Sequence, residues 1–463
     1  MKCRAVILAA GKGTRMRTEL PKCAYPLLRK PMIRYLVDAL KQSESVQEII
    51  VVVGHKKEIF ETMLEGEVTF AHQAEQLGTG HAVLCARPAF QDLEGCTLIL
   101  PGDMPLLSAS LIEDLVRVHQ SSHTDLTVMT TDMEDPTGYG RILRNHAGLL
   151  KRIVEEKDAD ASLRAIKEIN SGLYCVRTEA LFQALSSLSN QNAQGEYYLT
   201  DIVEHIANKG SAIAYKAPRS DCLLGVNDLY SLSLAEAFLR MRINKQYMLQ
   251  GVSMINPETI TIGEEVEIEE GVVLHPNTYI TGHSIIRKDA IVGPNTEVHN
   301  STLGERVHAR HSLIYDSIVE ADTVVGPFAH LRDRAHIGTH NRIGNFVEVK
   351  NSTTLHNTKA SHLAYIGDAT MGENVNFGCG AITVNYDGVH KNRTTIGNNV
   401  FIGCNTNLIA PVQLEDDSYT AAGSTVTKLV PKGTLAIARA NQVNKENYVE
   451  DYFKKRNGKK TEK

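Results

Sequence analysis

Residues 262–298 read IGEEVEIEEGVVLHPNTYITGHSIIRKDAIVGPNTEV, and within them Ile262, Ile268, Leu274, Ile280, Ile286, Val292 and Val298 recur every six positions. A helix repeats its buried face about every 3.6 residues and a strand every 2, so a period of six belongs to neither. It fits a triangular coil in which three short strands complete a turn and one aliphatic side chain points inward from each side. The rhythm resumes at Val325, Leu331, Ile337, Ile343, Val349 and Leu355, and again at Ile396, Ile402, Leu408 and Leu414. Glycine often follows the aliphatic residue, as at Gly263, Gly326, Gly338, Gly344 and Gly403. A parallel β-helix over residues 251–463 is therefore expected. The interruptions at residues 300–317 and 376–395 read as loops or irregular turns leaving the coil, and loops on a rigid scaffold are where sites gather.

Upstream the character differs. Over residues 3–226, β-rich apolar runs (Ala5-Val-Ile-Leu8, Ile49-Ile-Val-Val-Val53, Thr97-Leu-Ile-Leu100) alternate with amphipathic stretches such as residues 31–41. That alternation predicts a mostly parallel α/β sheet with ligands at the carboxyl ends of its strands. Residues 228–250 (Leu229, Leu232, Leu234, Ala237, Phe238, Met241) form a helical pattern nearly free of breakers and read as a linker helix. The domains expected are thus residues 1–227, the linker 228–250, and 251–463. A chain of 463 residues agrees with more than one core, at roughly 100–200 residues per domain.

Composition narrows the function. Lys and Arg number 49 against 54 Asp and Glu, and no basic block interrupts the interior, which argues against nucleic acid and anionic membrane as partners. The basic run at residues 454–463 reads as a solvated tail. No secretory signature opens the sequence, and the eight cysteines show neither CxxC nor zinc spacing. A cytoplasmic protein with reduced thiols, and with no disulfide framework or structural metal, is expected.

Two sets of motifs carry chemistry. The first begins at Leu8-Ala9-Ala10-Gly11-Lys12-Gly13-Thr14-Arg15-Met16, a glycine turn after a strand where backbone N–H groups approach phosphates closely, followed by Leu20-Pro21-Lys22. It is neither a P-loop nor a dinucleotide fingerprint, and alone it would be an ordinary strand-to-helix turn. Next in order come Gln73-Ala-Glu-Gln-Leu-Gly78-Thr79-Gly-His-Ala82, Pro101-Gly102-Asp103, Gly138-Tyr-Gly140-Arg141, Glu155, Asn170-Ser-Gly172 and Gly225-Val-Asn227. This ordered set resembles the uridylyltransferase branch of the sugar-nucleotide pyrophosphorylases. The resemblance implies that Leu8, Ala9, Ala10, Gly11, Lys22, Gln73, Gly78, Thr79, Gly102 and Asp103 bind the nucleotide and that Gly140, Glu155, Asn170 and Asn227 hold the sugar. It also implies that Asp103 and Asn227 hold Mg2+, while Arg15 and Lys22 stabilise the transferring phosphoryl group.

The second set lies in the coil: Leu331-Arg332, Gly344 to Lys350, Lys359 to Asp368 including His362 and Tyr365, Asn376, and Asn385-Tyr386-Asp387-Gly388 through Lys391. It resembles the acetyltransferase site of the bifunctional UDP-N-acetylglucosamine pyrophosphorylase/glucosamine-1-phosphate N-acetyltransferase family. An amine protonated near neutrality needs a base before it attacks a thioester, and the imidazole of His362 suits that task; Glu348 is expected to fix its tautomer. Arg332, Lys350 and Lys391 fit a sugar phosphate, with Tyr365 and Asn376 beside the sugar. Asn385, Tyr386, Cys404, Ala422 and Arg439 are implied to meet acetyl-CoA.

Together the resemblances imply a Rossmann-like nucleotidyltransferase sheet followed by a left-handed β-helix, assembled as a homotrimer. The expected chemistry acetylates glucosamine-1-phosphate with acetyl-CoA and then couples N-acetylglucosamine-1-phosphate to UTP, feeding peptidoglycan, lipopolysaccharide or teichoic acid precursors. A single-activity nucleotidyltransferase with a purely assembling coil is the alternative, since a coil by itself is a scaffold. Departures from the family pattern are Cys23-Ala24-Tyr25 after Lys22, Asp333 after Arg332, and Cys404 where serine is common.

Overall fold

The computed structural model describes residues 3–11, 13–209 and 211–458; Lys12 of the glycine turn and residues 459–463 of the basic run lie outside them. Compactness divides the chain into two units, Met1–Leu239 and Arg240–Lys463. The division falls inside the helix Leu229–Leu249 rather than at either end of it. Along that helix Leu232, Ala235 and Leu239 are buried, whereas Leu229, Leu234, Phe238 and Met241, which the sequence pattern also counted, are exposed.

The first unit is built on a sheet whose main strands are β1 (Cys3–Leu8), β2 (Val46–Val53), β3 (Thr69–His72), β4 (Cys96–Pro101), β5 (Leu126–Asp132), β6 (Glu168–Arg177) and β7 (Ala212–Lys216). Their spatial order is β7-β5-β6-β4-β1-β2-β3, and β6 runs antiparallel to both of its neighbours. Continuous runs such as Ile50-Val-Val-Val53 are buried on both faces, as parallel strands covered by helices require. Because β1, β2, β3 and β4 are parallel, their carboxyl ends share one edge, and the start of antiparallel β6 joins them there.

In the second unit the coil has three faces. Register pairs such as Ile262↔Ile280, Ile268↔Ile286 and Leu274↔Val292 stack each inward residue on the one a turn later. The inward residues form one continuous core from Val252 to Val430. Full burial of each aliphatic contributes about 1.5–3 kcal/mol relative to exposure, so the stack is the stabilising element of the unit. Asn277, Asn295, Asn357 and Asn374 turn corners at φ of 57°, 49°, 54° and 56°, a left-handed region that Asn tolerates because its short amide bonds locally.

Two expected interruptions need correction. Residues 300–317 do not leave the coil: Leu303, Ala309, Ile314 and Val319 continue the buried column, in steps of five and six residues. Residues 376–395 also hold the coil through Phe377 and Thr383, and the chain departs only between Asn385 and Thr394, where Tyr386 bridges Lys391. The expected inward Leu355 is 46% exposed, because a five-residue step hands its place to Thr354 at 1%. The expected solvated tail, residues 454–463, begins inside a helix, Tyr448–Gly458.

Candidate functional site

The shared edge of the sheet opens into a cavity of about 480 Å3 lined by Leu8, Ala9, Ala10, Gly11, Lys22, Gln73, Gly78, Thr79, Asp103, Glu155 and Asn170. β1 delivers the glycine turn and β4 delivers Asp103 through Gly102, whose N–H donates to the Leu8 carbonyl at 3.0 Å. Gly13 has φ +61°, and a Cβ there would stand 2.7 Å from Cβ of Lys22, so the turn passes Lys22 only as glycine. The Lys22 ammonium pairs with the Asp103 carboxylate and also donates to Oδ1 of Asn227 at 3.1 Å. Arg15 donates to the same Asn227 oxygen at 2.9 Å. Asn227 arrives from far along the chain because the N–H of Val226 donates to the Asp103 carbonyl at 2.9 Å. Burial disfavours the Lys22 ammonium, but the Asp103 carboxylate outweighs it and holds the pKa above the ordinary lysine value.

The amide nitrogen of Gln73 donates to the Gly78 carbonyl at 3.0 Å and meets His81 Nδ1 at 3.1 Å, while Gln76 donates to the Ala10 carbonyl at 3.1 Å. Gly78 sits at φ +108°, where a Cβ would approach the Tyr197 carbonyl oxygen to 2.6 Å. On the opposite wall, Asn170 receives the Gly172 N–H on Oδ1 at 3.0 Å and donates to the Tyr174 hydroxyl at 2.6 Å. The register of β6 shifts between Asn170 and Tyr174, turning these groups toward the cavity mouth. Gly140 backs them, with its carbonyl accepting from the Asn170 N–H at 2.8 Å. Glu155 accepts from Thr200 at 3.1 Å, and burial raises its pKa, reinforced by Asp201 and Asp158. Sequence reasoning missed Glu196, Leu199 and Thr200 on this wall. The only available signal was the polar run Gln194-Gly-Glu-Tyr-Tyr-Leu-Thr-Asp201, which carries no spacing rule.

On the coil, Arg332 lies in register with Lys350, and Glu348 with Tyr365. Arg332 holds Oε1 of Glu348 through two hydrogen bonds, at 2.9 and 2.6 Å, and its own pKa, though lowered by burial, is raised overall by that carboxylate. The expected Glu348–His362 pairing is therefore corrected: the strand neighbour of His362 is Asn345, three positions away from Glu348. Asn385 donates to Asp368 at 2.5 Å and to the Tyr365 hydroxyl at 3.5 Å, which draws the 385–394 excursion onto this face. Lys391 reaches Lys350, and the proximity of two ammonium groups lowers the Lys391 pKa. Asp368 and Asp333 thus frame a cluster of Arg332, Lys350, Tyr365, Asn385 and Lys391. Neither Asp was among the expected site residues.

Of the remaining coil residues, Tyr386 and His362 adjoin that cluster along the chain and Asn376 lies on a different face. Asn376 pairs with Lys359 and Phe401 on another face, which separates it from Tyr365 within one chain. His362 is exposed and its neighbours along the coil corner are Asn345 and, one turn on, the Cys379–Gly380 segment, whose Gly380 N–H donates to the Leu363 carbonyl at 2.6 Å. Cys404 follows in the next turn, its carbonyl accepting from the N–H of Gly423 beside Ala422 at 2.8 Å. Arg439 approaches this corner too, its Cδ standing 3.9 Å from the position a Gly423 Cβ would take. Tyr386 closes the excursion by donating to the Gly388 carbonyl at 2.6 Å.

A cavity on an α/β sheet lined by a glycine turn, Lys22 and Asp103, and a hexapeptide coil bearing cations and an imidazole, are the features of a transferase with two centres. Residues 5–215 match the MobA-like NTP transferase domain, and residues 393–428 match the bacterial transferase hexapeptide of six repeats. The bifunctional protein GlmU of Acholeplasma laidlawii is 56% identical over 97% of this chain and 97% of its own length. Those of Geobacillus sp. WCH70 (47%, covering 99% and 100%) and Geobacillus thermodenitrificans (49%, covering 97% and 98%) are similar along the same span. The chain belongs to the GlmU family of bifunctional transferases.

Proposed function

We propose that the chain acetylates glucosamine-1-phosphate with acetyl-CoA on its coil and transfers uridylyl from UTP to N-acetylglucosamine-1-phosphate on its sheet. The observation that carries the reading is the meeting of Lys22 and Arg15 on the Asn227 amide oxygen beside Asp103, at the mouth of the cavity. In the uridylyl step the sugar-phosphate oxygen attacks the α-phosphorus of UTP and pyrophosphate leaves. Two anions must approach, so Lys22 and Arg15 neutralise charge on the transferring and leaving groups. The carboxylate of Asp103 and the amide oxygen of Asn227 are hard oxygen donors that suit Mg2+, which when bound would share that charge. Asn170, Glu155 and Gly140 orient the acetylamino sugar, and the 73–79 segment faces the base, where amide groups discriminate an edge better than charge does.

In the acetyl step His362 takes the proton of the substrate ammonium, and the freed nitrogen attacks the thioester carbonyl to release CoA thiol. Arg332, Lys350 and Lys391 receive the sugar phosphate, Tyr365 and Asn376 the sugar, and Asn385, Tyr386, Cys404, Ala422 and Arg439 the coenzyme. A homotrimer, in which neighbouring coils complete each acetyl site, accounts for the placing of Asn376 on a different face from Tyr365 in a single chain. The protein acts in the cytoplasm, and its product supplies cell-wall polymer precursors. Separate assays of thiol release and pyrophosphate release test the reading. Both products are expected, and pyrophosphate without thiol would leave the coil as an assembly device alone.

A further inference from the structure

Cys3, Cys96 and Cys175 lie 93 and 79 positions apart in the sequence, and the fold brings them together. Cys3 opens β1 and Cys96 opens β4 in direct register, while Cys175 sits opposite Leu98 on antiparallel β6. All three are fully buried in the same core. Their sulfurs all fall within 4.8 Å of one another, and those of Cys3 and Cys96 are 2.7 Å apart. Among the described residues no other His, Cys, Asp or Glu ligand atom joins the set. His119, on the helix Ala109–Ser122, has its Nδ1 on the Thr127 hydroxyl at 3.0 Å.

We propose that these three cysteines form a three-coordinate site for a trivalent thiophilic ion of the arsenite class, at the sheet edge opposite the phosphate cradle. Charge decides among thiophilic ions. Three thiolates with a monovalent or divalent ion leave net negative charge in an apolar core, which is costly, whereas a trivalent centre leaves none. Zinc would in addition need a fourth protein ligand for its closed tetrahedral site. Three sulfurs around a pyramidal trivalent centre at about 2.3 Å would stand roughly 3.5 Å apart, within the spread of the triad once the Cys3–Cys96 pair opens from 2.7 Å. The step balances without redox change: three S–H bonds and three As–OH bonds break, three As–S bonds form, and three waters leave. The product ties β1, β4 and β6 together.

The test incubates the reduced, full-length protein with arsenite under native conditions and measures intact mass and free thiols in denaturant. A mass gain of one arsenic less three hydrogens is expected, with three of the eight cysteines lost from the thiol count. The adduct should persist in a Cys379→Ser/Cys404→Ser double variant, which removes the two exposed thiols, and vanish in Cys96→Ala. The proposal is overturned by no adduct, by an adduct retaining a hydroxyl (the dithiol product), by loss of the adduct in the double variant, or by a Cys3–Cys96 disulfide. Should Cys96→Ala fail to fold, the adduct's composition in the double variant still decides.

Discussion

The two units bring functional residues together by opposite means. In the sheet, strand order does the gathering: Lys22, Asp103, Asn170 and Asn227 are scattered along the chain yet meet at one edge. In the coil, each residue is carried to a column fixed by its position in the repeat, and the columns stay apart unless an excursion such as 385–394 crosses them. The sheet thus gathers residues from distant stretches of the chain, whereas the coil stacks residues of successive turns along one face. The lesson is that an α/β site can be recognised as a pocket, whereas a coil site has to be recognised as a pattern of register.

Four measurements sharpen or break this contrast. The largest effect is expected for His362→Ala, which should lower acetyl transfer by about 10²–10⁴-fold while leaving pyrophosphate release unchanged. Loss of both activities would end the independence of the two centres. Next, Lys22→Ala should cut pyrophosphate release by about 10²–10³-fold with thiol release intact. Third, Ile343→Ala, at the buried axis of the coil, should destabilise that unit by about 2–5 kcal/mol, read as a lowered calorimetric transition for the coil with the sheet transition in place. One shared transition that falls as a whole would show the units to be a single cooperative body.

The smallest effect concerns pH. Burial holds the Glu155 pKa above its ordinary value, so between the two values the folded protein keeps a proton that the unfolded chain has lost. Stability contributed by this group is therefore highest at acid pH and falls as pH rises through the raised pKa. Glu155→Gln should stabilise the sheet unit near neutrality relative to the parent and lose that advantage below the ordinary glutamate pKa, in paired denaturant titrations. An advantage that is constant with pH would assign the change to packing.

Much of this was legible in the sequence because large aliphatics sit at the inward positions of the coil and because the glycine turn, Asp103 and Asn170 belong to ordered motifs. The pattern faded where the axis takes small or hydroxylated residues. Ala309, Thr354, Ala360 and Thr383 are buried in line with Ile and Leu, and Thr383 satisfies its hydroxyl on the Gly367 carbonyl at 2.9 Å. A hydrophobic count passes over such positions, and at residues 300–317 the five-residue steps to Leu303, Ile314 and Val319 break a strict period of six although those residues are large. The Arg332–Glu348 pair was hidden for another reason, since it depends on which strands are neighbours across turns of unequal length. Likewise the cysteine triad obeys no spacing rule, because β-sheet order rather than chain proximity unites it.

The alternation of five- and six-residue edges has a consequence for how this half of the chain can change over generations. A strand that gains or loses one residue turns its whole buried side outward. Here the slack at each bend takes up the difference, as between Val298 and Leu303, and every later rung stays in phase. Single-codon insertions and deletions should accordingly be survivable at the bends of the coil and ruinous within the central ribbons of the other half.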